Sequence, residues 1–230
     1  MEKSNIGEKI KLLTGSGMWH TREAEGLPSV HLSDGPHGLR KQEEKERQNN
    51  VSLVSTCYPT ASALACSWDV TAAERLGRAV AKEAWNADVA VLLGPGINMK
   101  RSPLCGRNFE YFSEDPFLAG RLGAAYVSAA QGENVAVSLK HFAANNQETN
   151  RQTSNSQIDE RALREIYLSA FEYVVKTARP ATVMASYNRL NGYYACENRH
   201  LLTEILREEW GFDGVVISDW GACADLAKAV

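Results

Sequence analysis

At 230 residues the chain is slightly shorter than the roughly 250 residues of a typical (β/α)8 barrel, and one domain is the expectation. Its 44% hydrophobic and 23% charged residues, with a mean hydropathy of -0.33, suffice for a buried core and exclude disorder as the main state. The formal charge of -3 comes from 25 basic and 28 acidic residues mixed along the chain, which leaves no one-signed field for nucleic acid or an anionic bilayer. No run approaches the roughly 18 uncharged apolar residues of a membrane span.

The first segment, MEKSNIGEKIKLLTG, is amphipathic and lacks the apolar core and cleavage site of a secretory signal, so a cytoplasmic location is expected. Short apolar runs then alternate with helical patterns. The runs predict strands over Ser29–Leu32, Ala61–Cys66, Val89–Leu93, Val135–Lys140, Thr182–Ser186 and Val215–Ser218. Helices are predicted over Thr71–Ala84, Pro116–Gln131, Glu160–Lys176 and Arg199–Trp210. Their ends are punctuated: Asp115 precedes Pro116, Gly132 closes that helix, and Asn198 and Gly211 bracket the last one. A further helix is expected to begin at Asp225–Val230, where the chain reads as cut short. This strand–helix rhythm predicts an α/β fold, a (β/α)8 TIM-type barrel of which about six strands are present. Five cysteines, Cys57, Cys66, Cys105, Cys196 and Cys223, form no Cys-x-x-Cys pair, which argues against a disulfide framework and a structural zinc site.

Almost every predicted strand runs into a polar segment: SDGPHGLR, GPGINMKRSPLCGRNFE, KHFAANNQETNR, SYNRLNG and SDWGA. In a parallel barrel the strand C-termini open on one face, so these segments would converge there. The segment from His141 to Gln157 is long and polar, either a functional loop or a disordered one. Singly, each candidate has an ordinary explanation. Asp219 could cap the following helix, Lys140 could sit in a buried ion pair, Arg107 could pair with Glu110 or Glu114, and Asp34 could form a turn. Together Asp34, Arg40, Arg107, Lys140, His141, Arg151, Tyr187, Asp219 and Trp220 offer charges and aromatic surface suited to a hydroxyl-rich ligand. GPGINMK has neither dinucleotide-binding nor Walker spacing.

The stretches LSDGPHGLR, GPGINMKRSPLCGRNFEYFSEDP, KHFAANNQETNR, MASYNRLNG and CENRHLLTEILREEWGFDGVVISDWGA resemble the N-terminal barrel domain of glycoside hydrolase family 3, in its β-glucosidase and β-xylosidase branch. The likeness runs from about Ile6 to Ala222. It implies that Asp219 of the SDW motif is the catalytic nucleophile. It also implies that Asp34, Arg40, Arg107, Lys140, His141, Arg151, Met184 and Tyr187 hold the sugar, and that Trp220 lines the same pocket. No cofactor or metal is implied.

The implied chemistry is double displacement with retention, acting on a β-glucoside or β-xyloside oligosaccharide or an aryl glycoside. Such chemistry needs a general acid, which in this branch is a Glu from a following α/β/α domain. That domain lies outside residues 1–230, so these residues alone are expected to be inactive and prone to self-association. An N-acetylglucosaminidase branch instead carries a His in a KHFPGHG-type segment, where this chain reads KHFAANNQ. Two rival readings remain on sequence grounds: a Schiff-base aldolase using the strand-end amine of Lys140, and a sugar-binding barrel without catalysis.

Overall fold

The computed structural model describes residues 6–24, 26–42 and 51–229. Five strands, β1 (Leu32–Asp34), β2 (Val91–Leu93), β3 (Ala136–Phe142), β5 (Thr182–Ala185) and β8 (Val215–Ser218), form one sheet in the order β1-β2-β3-β5-β8. Every pairing in it is parallel. Parallel neighbours in sequential order require a crossover on each connection, which is the incomplete arc of a (β/α) barrel. Among the described residues β1 and β8 each pair on one side only within this sheet.

The crossovers are helical. Asp69 caps α3 (Val70–Asn86) by accepting from Thr71 N, and Asp115 caps α4 (Pro116–Gln131) by accepting from Phe117 N at 2.9 Å, with Pro116 at the first-turn position its ring favours. α3 and α4 cross closely because position 77 is glycine. A Cβ there would lie 2.5 Å from the carbonyl oxygen of Tyr126. The next crossover starts as α5 (Glu160–Ala162), widens into a π-helical stretch over Leu163–Leu168 and continues as α6 (Ser169–Ala178). The last is π-helical over His200–Glu209, with Asn198 Oδ1 accepting from Leu201 N at its start. Between sheet and helices lies an apolar core that includes Leu92, Leu122, Leu139, Phe142, Phe171 and Ile205, each fully buried.

Three expectations need correction. The run Ala61–Cys66 is not a strand: Ala61–Ala65 is a helix, α2, capped by Thr60 accepting from Ala63 N. Ala61, Leu64 and Ala65 are its buried residues, an i, i+3, i+4 set that a short apolar run hides. The first strand begins at Leu32 and ends on Asp34, later than predicted. Residues 225–229 form a turn, with Asp225 accepting from Ala227 N, rather than the start of a helix. Beside the main sheet, β4 (Asn155–Ser156), β6 (Arg189–Leu190) and β7 (Tyr193–Tyr194) make a small sheet. The β6–β7 hairpin turns on Asn191 and Gly192, both at positive φ (51° and 98°), the conformation a two-residue hairpin loop demands. Among the described residues no helix is long and apolar enough to cross a membrane.

Candidate active site

The sheet delivers polar side chains to its C-terminal edge. Asp34 closes β1, Lys140 and His141 close to the end of β3, Tyr187 follows β5 and Asp219 follows β8. The polar bridge from β2 into the segment around Arg107 is held by Asn98. Its amide donates to His141 O at 2.8 Å and accepts from His141 N at 2.7 Å, a two-point clamp on the β3 backbone.

Glu110 anchors the charges. It lies buried in a short helical turn, Asn108–Glu110, between two cations: Lys140 Nζ is 2.9 Å from its Oε1, and Arg107 Nε donates to its Oε2 at 2.6 Å. Lys140 also reaches Asp34 Oδ1 at 3.5 Å, and Arg40 pairs with the same carboxylate at 3.5 Å. Burial opposes the charges of Glu110, Lys140 and Arg107, and their mutual pairing overrides it. The Glu110 carboxyl is held well below the usual range because the positive charges of Lys140 and Arg107 outweigh its desolvation. The Lys140 ammonium is pushed the other way, its burial overridden by Glu110 and then Asp34. A lysine so held is a cation, whereas imine formation needs a free amine, so the surroundings of Lys140 oppose the aldolase chemistry.

His141 is the neutral member. Arg107 Nη2, which can only donate, meets its Nε2 at 2.9 Å, so the ring proton sits on Nδ1 and donates to Tyr111 Oη at 3.0 Å. Burial, reinforced by the charges of Arg107 and Lys140, drives its pKa well below the ordinary histidine value. Asp219 Oδ2 stands 3.6 Å from that same Nε2, while Oδ1 accepts from Trp220 N at 2.8 Å. Burial raises the Asp219 pKa above the ordinary carboxylate value, only partly countered by the Trp220 amide and the charges of Lys140 and Arg107.

The second flank runs through Arg151. It pairs with Glu148 at 3.1 Å and lies over the Tyr187 ring, 4.3 Å from the centroid. Glu148 in turn stands 4.0 Å from Arg107. Tyr187 Oη donates to Trp220 O at 2.9 Å, and its pKa is pushed up to about 12 by burial and then by the charge of Asp219. Trp220 packs against Trp19 with ring centroids 5.2 Å apart. Met184 lies in a small apolar cluster with Val91 and Leu93, against which Trp19 and Trp220 pack.

All ten candidates therefore fall on one edge: nine are joined by polar, charged or ring contacts, and Met184 joins through the apolar packing under Trp220. Sequence reasoning missed Asn98, Tyr111, Asn145 and Glu148, and gave Glu110 only the role of a partner to Arg107. Their signal was present in part, since each is a polar or aromatic residue inside a segment that follows a strand. The long segment after His141 is tied to this edge, its Asn145 amide donating to Tyr111 Oη and Glu148 Oε1.

Residues 36–230 match the model of the glycosyl hydrolase family 3 N-terminal domain, and the chain belongs to that family. It is 53% identical to a thermostable β-glucosidase B of Acetivibrio thermocellus, covering 100% of this chain and 31% of that protein. It is 51% identical to an exo-α-(1→6)-L-arabinopyranosidase of Bifidobacterium longum, over 98% of this chain and 30% of the relative. Among solved structures, β-glucosidase 3B of Thermotoga neapolitana in complex with glucose superposes with a TM-score of 0.92 at 41% identity, covering 99% of this chain and 34% of its own. The β-glucosidase of Kluyveromyces marxianus with glucose gives 0.93 at 43% identity, over 99% of this chain and 27% of its own. The chain thus spans about a third of the length of these curated relatives.

Proposed function

We propose that this chain forms the glycone-binding and nucleophilic half of a retaining β-glucosidase, cleaving terminal β-D-glucosyl or β-xylosyl residues. The observation that carries the reading is the setting of Asp219. It is a buried carboxylate just past a parallel strand, with one oxygen tied to the Trp220 amide and the other facing the centre of the charged edge. Asp219 attacks the anomeric carbon, the leaving oxygen departs with a proton from a general acid, and water then releases the glycosyl-enzyme. Lys140, Arg107 and Asp34 hold hydroxyls whose bonds tighten as the ring approaches an oxocarbenium ion. Trp220 and its neighbour Trp19 give the apolar wall on which a pyranose can stack.

The general acid, in this reading, is a Glu of an α/β/α domain outside residues 1–230, in keeping with the share of the relatives that the chain spans. A second reading, hydrolysis of terminal α-L-arabinopyranosyl residues, is favoured by the relative of that name at 51% identity. A comparison of kcat/KM on aryl β-D-glucoside, β-D-xyloside and α-L-arabinopyranoside, made on protein carrying the downstream domain, separates them. Preference for the glucoside or xyloside supports the first reading, and preference for the arabinopyranoside replaces it with the second. Measurable glucose binding with no turnover of any of the three would leave a sugar-binding barrel.

A further inference from the structure

A second cluster of reactive side chains lies behind the nucleophile segment and takes no part in the chemistry above. Cys196 Sγ, Cys223 Sγ and a Glu197 carboxylate oxygen lie within 4.8 Å of one another. Cys196 and Glu197 come from the short helical turn Ala195–Glu197, and Cys223 follows Asp219 by four positions. The missing Cys-x-x-Cys spacing hid this grouping, because the donors come from two separate strand-end segments.

We infer that Cys196, Cys223 and Glu197 form a binding site for a thiophilic divalent cation of the zinc class. Zinc bonds of about 2.3 Å to sulfur and about 2.0–2.2 Å to oxygen place tetrahedral ligands about 3.5–3.8 Å apart, so small side-chain movements close the donor set on an ion. Two thiolates and one carboxylate leave a fourth position for water. The donor set, two soft sulfurs with one oxygen, selects against magnesium and calcium, which prefer all-oxygen shells. The backbone around the site is already held in place. Cys196 Sγ donates to Ala222 O at 3.3 Å, and Asp225 N donates to Glu197 Oε1 at 2.9 Å, which draws the 222–225 segment onto the turn.

A dication would take both sulfurs as thiolates. The balanced step is one cation plus two thiols and one carboxylate, giving the bound ion and two protons. Binding would tie the segment that carries Asp219 and Trp220 to the turn that precedes the last helix.

The test is titration of the reduced protein, carrying the downstream domain, with cobalt(II) under anaerobic conditions, followed by displacement with zinc(II). The expected result is one ion per chain, with thiolate-to-metal charge-transfer absorption and the d–d bands of a tetrahedral site. About two protons should appear per ion in weakly buffered solution. Cys223 is only half-buried, so Cys223→Ser tests the site with little risk to the fold. It should weaken binding by more than the about 10–100-fold typical of losing a mere supporting partner. Glu197→Gln should weaken it less, and Cys57→Ser and Cys66→Ser should leave it unchanged. Circular dichroism of Cys223→Ser checks that its fold survives. No charge-transfer band in the reduced chain, or an undiminished band in folded Cys223→Ser, would overturn the inference. So would isolation of Cys196 and Cys223 as a disulfide that re-forms in preference to metal binding.

Discussion

Two ion-pair networks of similar composition show what burial does to charge. At the strand ends, Glu110 lies between Lys140 and Arg107, and all three side chains are largely or wholly removed from water. On the outer helices, Arg164 joins Glu160 to Glu209, and His200 pairs with both Glu204 and Glu160, with side chains substantially exposed. The outer pairs form between long, hydrated side chains, gain little, and could be lost without consequence for the fold. The inner set cannot lose one member without stranding another in a low-dielectric interior. The inner charges are fixed at the C-terminal edge of a parallel sheet, where the proposed function puts the sugar, and the outer network has no such position.

The largest expected contrast is in turnover. In protein carrying the downstream domain, Asp219→Ala should lower kcat on an aryl β-glucoside by several orders of magnitude, while Arg164→Ala should leave it within about twofold. Asp219 also carries an opposite effect on stability. Its folded pKa is raised, so its ionised form opposes folding at neutral pH and its protonated form favours it. Asp219→Asn should therefore raise the urea midpoint at pH 7, and the gain should shrink as pH falls through the raised pKa of the parent. A lower midpoint at pH 7 would contradict the assignment of that burial penalty to Asp219.

Next in size is Glu110→Gln, which leaves Lys140 and Arg107 without their shared counter-charge. About 3–5 kcal/mol of stability should be lost, measurable by denaturant unfolding. Arg164→Ala should cost no more than about 1 kcal/mol, and high salt should erase even that. Equal losses from the two substitutions would break the distinction between the networks.

A smaller effect should appear in the pH dependence of stability. His141 is buried neutral with a folded pKa well below its unfolded value of about 6.5, so its contribution is present above that pH. It is lost as pH falls from about 6.5 toward the folded pKa. His200 has the reverse sign: pairing with Glu204 raises its pKa, so its small contribution is present below about 6.5 and fades as pH rises through the raised value. Urea midpoints across pH 5–8 for His141→Gln and His200→Gln should change slope in opposite directions.

The parts of this fold that were legible in the sequence are those where hydrophobicity changes abruptly. VAVSLKH and GVVISDW each pass from an apolar run to a charged residue, and both sites lie where that transition puts them, at the ends of β3 and β8. Asp115-Pro116 and Gly132 marked α4 because caps are local chemistry. The run ASALAC was illegible for the opposite reason: five or six small apolar residues fit a strand or one helical turn equally, and Thr60 decided it by capping. Asn191-Gly192 was a readable hairpin signal that the strand pattern around it was too short to expose. The anchoring role of Glu110 could not be read locally, because Lys140, the partner that fixes it, is 30 positions away and meets it only when β3 enters the sheet.

The most direct test of the central claim is covalent trapping. A 2-deoxy-2-fluoro-β-D-glucoside with a dinitrophenolate leaving group needs little help from a general acid, and the fluorine slows hydrolysis of the glycosyl-enzyme. In protein carrying the downstream domain, the account predicts one glycosyl adduct per chain, mapped by peptide mass spectrometry to Asp219 and absent from Asp219→Asn. An adduct on any other side chain, or turnover that proceeds with no adduct while Asp219→Asn stays active, would contradict it.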